Sequence, residues 1–256
     1  MKIAVVTGAS SGLGREFVMR IAERGDVEEI WAIARREEKL LALKDACRVP
    51  VRVLPLDLTQ AESFVRLREM LEKEQPDIIW SVAAAGFGRL GRTRTMDFAD
   101  LRRMVDLNCT GAMETVLSTY PYMHRGGKIA VIASTAAFQP FPYVNVYAAT
   151  KAFAYRFMRA LRIENLGQGI HITCVCPYWV KDTEFISVAR QTEEKKAIRH
   201  FPLASKQKNV VKRAMGDCVL GLPVSTPGIV CTAHRVVAKF VPGEMMMGLW
   251  ALIRRV

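Results

Sequence analysis

Short apolar runs alternate with amphipathic stretches along the first 175 residues. The runs at 3–6, 30–34, 51–54, 78–83, 128–133 and 171–175 are nearly continuous in Val, Ile, Leu and Ala. That pattern predicts strands buried on both faces, as parallel sheets require. The stretches at 12–23, 37–46, 62–73, 98–119 and 147–165 instead repeat their apolar positions every three to four residues, which predicts helices. Strand and helix alternating in this way predict an α/β fold, a doubly wound parallel sheet of Rossmann-like type with helices on both faces. No linker or internal repeat interrupts it, so one domain over residues 1–256 is expected. The periodicity weakens from 183 to 208, which reads as a substrate loop or lid. Residues 240–256 read as an amphipathic C-terminal extension.

Composition narrows the class. Half of the 256 residues are hydrophobic and 24% are charged, with 17 Gly and 11 Pro, which excludes a disordered or collagen-like chain. The longest apolar stretch, 245–253, falls far short of the ~20 residues of a spanning helix, and no signal peptide is expected at the N-terminus. Six scattered cysteines show no metal spacing, and Cys174 and Cys176 fall on one face of a predicted strand, as core residues would. A reducing, cytoplasmic setting and no metal are expected. The net charge of +12 is uneven, with 13 basic and 6 acidic residues after position 180. No nucleic-acid-binding signature accompanies it, so a solvated basic surface and an attraction for anions both stand as readings, and no nucleic-acid partner is expected.

The first predicted strand runs into Thr7-Gly8-Ala9-Ser10-Ser11-Gly12-Leu13-Gly14, which opens a helix. Glycines at 8, 12 and 14 permit a tight turn and close approach to a pyrophosphate at the helix N-terminus. About 20 residues on, where a carboxylate would hold the ribose hydroxyl of NAD, the chain has Ala34 followed by Arg35 and Arg36. Guanidinium groups there, with Ser10 or Ser11, suit a 2′-phosphate, so NADP(H) is the expected cofactor. Tyr147 and Lys151 stand four residues apart on one helix face. An ammonium beside a phenol favours the phenolate, and lowering its pKa by roughly three units takes about 4 kcal/mol. Ser134 ends the fifth predicted strand, where the ligand crevice of such a sheet lies. Asn108 falls inside a predicted helix, where its amide needs a partner, a water or a backbone carbonyl in a proton path.

In order and spacing these residues resemble the short-chain dehydrogenase/reductase family. The family's glycine motif, the Asp-Leu after the third strand, the Asn, the Ser and the Tyr-x-x-x-Lys are matched by Thr7 to Gly14, Asp57-Leu58, Asn108, Ser134 and Tyr147 to Lys151. The likeness spans about residues 1–185, and the tail is similar to the hydroxysteroid and fatty-acyl reductase branch. By this resemblance Tyr147 is the proton donor and acceptor, and Lys151 binds the nicotinamide ribose and lowers the Tyr147 pKa. Ser134 orients the substrate oxygen, Asn108 holds a relay water and Asp57 contacts the adenine. Pro177, Val180 and Thr183 lie against the nicotinamide. Three departures mark the chain. The family's Asn-Asn-Ala-Gly is Ala83-Ala84-Ala85-Gly86, which removes side-chain braces but leaves backbone contacts at Ala84 and Gly86. The usual Pro-Gly is Pro177-Tyr178, and Lys181-Asp182-Thr183 is one residue longer than the common pattern.

The resemblance implies an enzyme interconverting a carbonyl and a secondary alcohol, with hydride from NADP(H). Aromatic residues in the predicted lining, Phe141 and Tyr178 among them, suit a hydrophobic steroid, bile-acid or fatty-acyl substrate that also touches Ser134 and Tyr147. Family members commonly pair through the helices holding Asn108 and Tyr147, which implies a homodimer or homotetramer. Residues 245–256, closing on Arg254-Arg255, leave two readings, packing on the protein or peripheral contact with an anionic membrane. A non-catalytic NADP(H)-binding regulator is the alternative function.

Overall fold

The structure, a computed structural model, describes residues 1–192 and 203–253. The six predicted strands form as β1 (Lys2–Thr7), β2 (Glu29–Ala34), β3 (Val51–Pro55), β4 (Asp77–Ala83), β5 (Lys128–Ile132) and β6 (His171–Val175). A two-residue strand, β7 (Val224–Ser225), adds an edge that the periodicity does not predict. All pair in parallel in the order β3-β2-β1-β4-β5-β6-β7. The chain therefore reverses its direction of travel across the sheet between β1 and β4. The carboxyl ends of those two strands open the crevice in which such sheets bind ligands.

Alternate residues of each strand face opposite layers. Ile3 and Val5 join one buried cluster with Trp31 and Ile129, and Ala4 and Val6 join the other with Phe17 and Trp80. One layer holds α1 (Gly12–Arg24), α2 (Glu37–Ala46) and α8 (Gln207–Val219); the other holds α3 (Ala61–Glu74), α4 (Phe98–Val105), α5 (Ala112–Thr119) and α6 (Asn145–Glu164). Cys174 and Cys176 lie fully buried, their sulfurs 3.9 Å apart in a single cluster, as their spacing predicts.

One helix differs from its predicted form. The helix expected over 98–119 is interrupted by a π-helical segment, Asp106–Gly111, between α4 and α5. Such a segment widens the turn and redirects its side chains, a frequent device at functional sites. Beyond the sheet come α7 (Phe185–Ala189), α9 (Ile229–Phe240) and α10 (Gly243–Ile253). Part of the expected 183–208 loop, residues 193–202, and the Arg254-Arg255 pair lie outside the described residues. Among the described residues no helix is long and apolar enough to cross a membrane.

Candidate active site

β1 ends in the glycine loop, whose backbone leaves no room for a side chain at Gly8 or Gly14. Gly8 has φ +66°, and a Cβ there would lie 2.7 Å from the Ala85 amide nitrogen; a Cβ on Gly14 would collide with the Gly8 carbonyl. The buried Thr7 hydroxyl accepts hydrogen bonds from the Ala84 and Ala85 amides at 3.1 and 3.2 Å. The Ala83–Gly86 stretch thus keeps a brace across the switch point through Thr7, despite the asparagine side chains it lacks.

The first turn of α1 is uncapped, since the Ser11 side chain makes no cap hydrogen bond. Its hydroxyl instead accepts from Arg36 at 2.8 Å, and Ser10 accepts from the same guanidinium at 3.1 Å. Arg36 also meets the Glu184 carboxylate at 2.8 Å, and Lys39 meets that carboxylate at 2.6 Å. These two cations hold the Glu184 carboxyl down to about 2, through hydrogen bonds from Lys39 and then Arg36. Open helix amides beside a guanidinium and two hydroxyls make a donor set that fits a dinucleotide with a 2′-phosphate. β2 ends in Ala34, with no carboxylate there to oppose it.

A cleft of about 600 Å³ runs from this cluster over the carboxyl ends of the strands. Gly8, Ser10, Ser11, Gly12, Leu13 and Gly14 form one wall, with Arg35 and Arg36 at the end of β2. Asp57 and Leu58 after β3, Ala84 and Gly86 after β4, and Pro177, Val180 and Thr183 after β6 continue it. Thr183 reaches the glycine loop despite the extra residue before it, with its side chain 3.5 Å from where a Gly12 Cβ would be. Phe141 and Tyr178 line the other end with Ser134, Tyr147 and Lys151.

Ser134 caps a short turn after β5, its hydroxyl accepting from the Ala136 amide at 3.1 Å, donating to the Pro177 carbonyl at 3.5 Å and interacting with the Tyr147 phenol. Tyr147 and Lys151 enter on α6, which starts two residues before its predicted position. The bend leading into it places Tyr143 at φ +68°, a strained backbone of the kind that gathers at functional sites. Lys151 is buried, and its ammonium donates to the Ile132 carbonyl at 2.7 Å, 5.6 Å from the Tyr147 ring centre. Burial lowers Lys151 to about 8 and raises the Tyr147 phenol well above its usual range, with the Ser134 hydrogen bond opposing that rise. The expectation that Lys151 lowers the phenol is therefore not met by the protein's own groups, because desolvation of the ring outweighs an ammonium committed to a carbonyl.

Asn108 stands apart from the cleft wall. It turns inward from the π segment, where its Oδ1 accepts from the Phe87 amide at 3.1 Å. Its Nδ2 donates to the Phe87 carbonyl at 2.9 Å and to the Thr150 hydroxyl at 3.0 Å. Both amide hydrogens are committed to protein acceptors, so the expected relay water gives way to the backbone-carbonyl alternative. Asn108 ties the loop after β4 to α6. Replacing Asn108 with Ala orphans the Phe87 backbone pair and should cost roughly 2–3 kcal/mol. That lowers the melting midpoint by roughly 4–12 °C; an unchanged melt would remove this bracing role.

One lining residue carries no local signal in the sequence. Trp250 of α10 reaches the cleft, its indole donating to the Pro142 carbonyl at 3.2 Å and its ring edge-on to Phe141 at 5.2 Å. Of the two readings of the C-terminus, packing on the protein is therefore what Trp250 does. Phe185 of α7 lies 5.4 Å from the Tyr147 ring. Arg89 of the loop after β4 also lines the cleft, holding Asp100 at 2.7 Å and the Val188 carbonyl at 2.6 Å.

The family model described as short chain dehydrogenase matches residues 2–194. An uncharacterized oxidoreductase of Myxococcus xanthus is 35% identical over 185 residues, covering 70% of this chain and 72% of the relative. The NADP-dependent 3-hydroxy acid dehydrogenase YdfG of Salmonella typhi is 33% identical over 198 residues, covering 76% and 79%. In fold, the short-chain dehydrogenase from Sphingobium yanoikuyae, solved in complex with NADPH, superposes with a TM-score of 0.77 at 23% identity, covering 94% of this chain and 96% of that one.

Proposed function

This chain belongs to the short-chain dehydrogenase family, an oxidoreductase of alcohol and carbonyl groups with a nicotinamide dinucleotide, and from that premise we propose an NADP(H)-dependent enzyme that interconverts a ketone and a secondary alcohol on a hydrophobic substrate. One observation carries the reading: a single cleft holds the Arg36–Ser10–Ser11 cluster at one end and Ser134, Tyr147 and Lys151 at the other. Phe141, Tyr178, Trp179, Phe185 and Trp250 around the second end favour a steroid, bile-acid or fatty-acyl ketone over a small polar one.

The bound dinucleotide supplies the hydride for reduction or accepts it in oxidation. The Ser134 hydroxyl holds the substrate oxygen, and Tyr147 gives that oxygen its proton as it gains electrons. Lys151 keeps positive charge at the base of the cleft, which favours a proton leaving the phenol. Asn108 positions α6 and the loop after β4 from behind. Phe185, Trp179 and Trp250 exclude water from the reacting end.

Titration of the protein with NADPH and NADH, followed by absorbance at 340 nm against a panel of steroid, bile-acid and acyl ketones, tests this. NADPH should bind selectively and be oxidised with at least one ketone. Arg36→Ala should weaken NADPH by roughly 10–100-fold, since a charge-assisted contact to an anion is worth about 1.5–3 kcal/mol, and leave NADH nearly unchanged. Equal losses for the two cofactors would refute the 2′-phosphate assignment, and selective binding without turnover across the panel would favour a regulator over an enzyme.

A further inference from the structure

Glu184 sits where the cofactor end and the substrate end of the cleft meet. Its carboxylate spans Arg36 at 2.8 Å and Lys39 at 2.6 Å, across 148 and 145 residues of chain. The same Arg36 donates to the Ser10 and Ser11 hydroxyls. A second cleft, of about 490 Å³, opens beside this cluster between Ser11, Arg15, Lys39 and Glu184. An anion is thus already seated among the donors assigned above to a 2′-phosphate, and it is supplied by the chain itself.

The short helix after Glu184 ties this cluster to the substrate end. The Glu184 carbonyl accepts from the Val188 amide at 3.0 Å, and so opens α7. Phe185, the next residue, lies over the Tyr147 ring and 6.3 Å from Trp179. Ala189, buried, packs with Leu90 and Val144 around the same aromatics. Glu184 on Arg36 and Lys39 is therefore one of the ties that hold α7 across the substrate end, beside Arg89, which donates to the Val188 carbonyl at 2.6 Å, and the Leu90 amide, which donates to the Ala189 carbonyl at 2.9 Å.

We propose that Glu184 is an internal stand-in for the cofactor's 2′-phosphate: it latches α7 to Arg36 and Lys39, and a phosphate that takes those cations releases it. Resting on the NADP(H) reading, this adds Lys39 as a second cation for the phosphate and makes cofactor choice and access to Tyr147 one event. Both ion pairs are substantially exposed, with side chains 40–45% accessible, so they are weak enough to exchange. A phosphate monoester carries about −1.5 to −2 charge against the carboxylate's −1 and offers more acceptor oxygens, so it wins the two cations. A nucleotide without the 2′-phosphate has nothing to displace Glu184 with. Linkage then requires that whatever opens α7, a substrate included, also tightens the phosphate.

Hydrogen exchange of the full chain reads the latch without any turnover. Adenosine 2′,5′-bisphosphate at saturation should speed amide exchange in residues 185–192 by about threefold or more, and adenosine 5′-monophosphate at saturation should leave it unchanged. In Glu184→Gln the segment should exchange fast already in the free protein. By calorimetry this variant should bind the bisphosphate about threefold or more tighter, with the monophosphate unaffected. Preferential binding of the bisphosphate with unchanged exchange overturns the latch and leaves the NADP(H) reading standing. Equal affinity for the two nucleotides overturns both. A Glu184→Gln protein that binds the bisphosphate no more tightly removes the competition on which the latch depends.

Discussion

Replacing Tyr147 with Phe should lower turnover by roughly 10²–10⁴-fold, the range of a lost general acid, while NADPH affinity stays within about threefold. The single oxygen removed is the one that the mechanism asks to move a proton. The ring it leaves behind keeps its contacts, with Phe185 at 5.4 Å and the Lys151 ammonium 5.6 Å from its centre. The cofactor end of the cleft, built on Arg36, Ser10 and the glycine loop, does not touch the phenol at all. Binding and turnover should therefore separate cleanly. Activity within tenfold of the parent would move the proton to another group and end the assignment; a parallel loss of binding would mean that the hydroxyl also holds the cofactor.

A second variant bears on the raised phenol. Burial pushes Tyr147 above its usual range, and the hydrogen bond from Ser134 pulls it back. Removing that bond with Ser134→Ala should move the alkaline limb of the rate profile to higher pH, because the phenolate loses a donor that favours it.

How far the chain discloses this site depends on how local each signal is. The glycine loop is legible because Gly8 and Gly14 answer a backbone demand within seven residues, and Tyr147 and Lys151 because one helix turn brings them together. The strands of the sheet are legible for the same reason: β1 to β6 each carry a short, nearly continuous apolar run. β7 has two residues and no period to read. The π segment at Asp106–Gly111 is invisible to a 3.6-residue pattern, which puts Asn108 in a helix but does not disclose the Phe87 backbone that its amide holds in place of a water. Glu184 and Trp250 carry no local mark whatever. Each acquires its role only when the crossovers bring β2 beside the loop after β6, and α10 beside Phe141. The raised pKa of Tyr147 likewise comes from burial, which no four-residue spacing reports.

Lys151 offers the sharpest opposition between what the fold prefers and what the chemistry needs. Its ammonium is buried and lowered to about 8, against ~10.4 for an unfolded lysine. Between those values the unfolded chain binds more protons than the folded one, so stability rises as pH climbs from about 8 to about 10.4, and the charge is a net cost below 8. The shift corresponds to about 3 kcal/mol at neutral pH. Lys151→Met keeps the length of the side chain and removes that cost, while the Ile132 carbonyl loses one charge-assisted hydrogen bond, worth about 1.5–3 kcal/mol. The variant should therefore be more stable than the parent by up to about 1.5 kcal/mol at pH 7, a rise of up to roughly 6 °C in melting midpoint. The advantage should shrink as pH approaches 10. Its turnover should fall by roughly 10²-fold or more, since nothing then holds positive charge beneath the phenol. Thermal melts at pH 7 and pH 10 with a rate assay check all three. A Met variant that melts lower at pH 7 would show that the Ile132 hydrogen bond outweighs desolvation, and Lys151 would then be a structural residue as well as a chemical one.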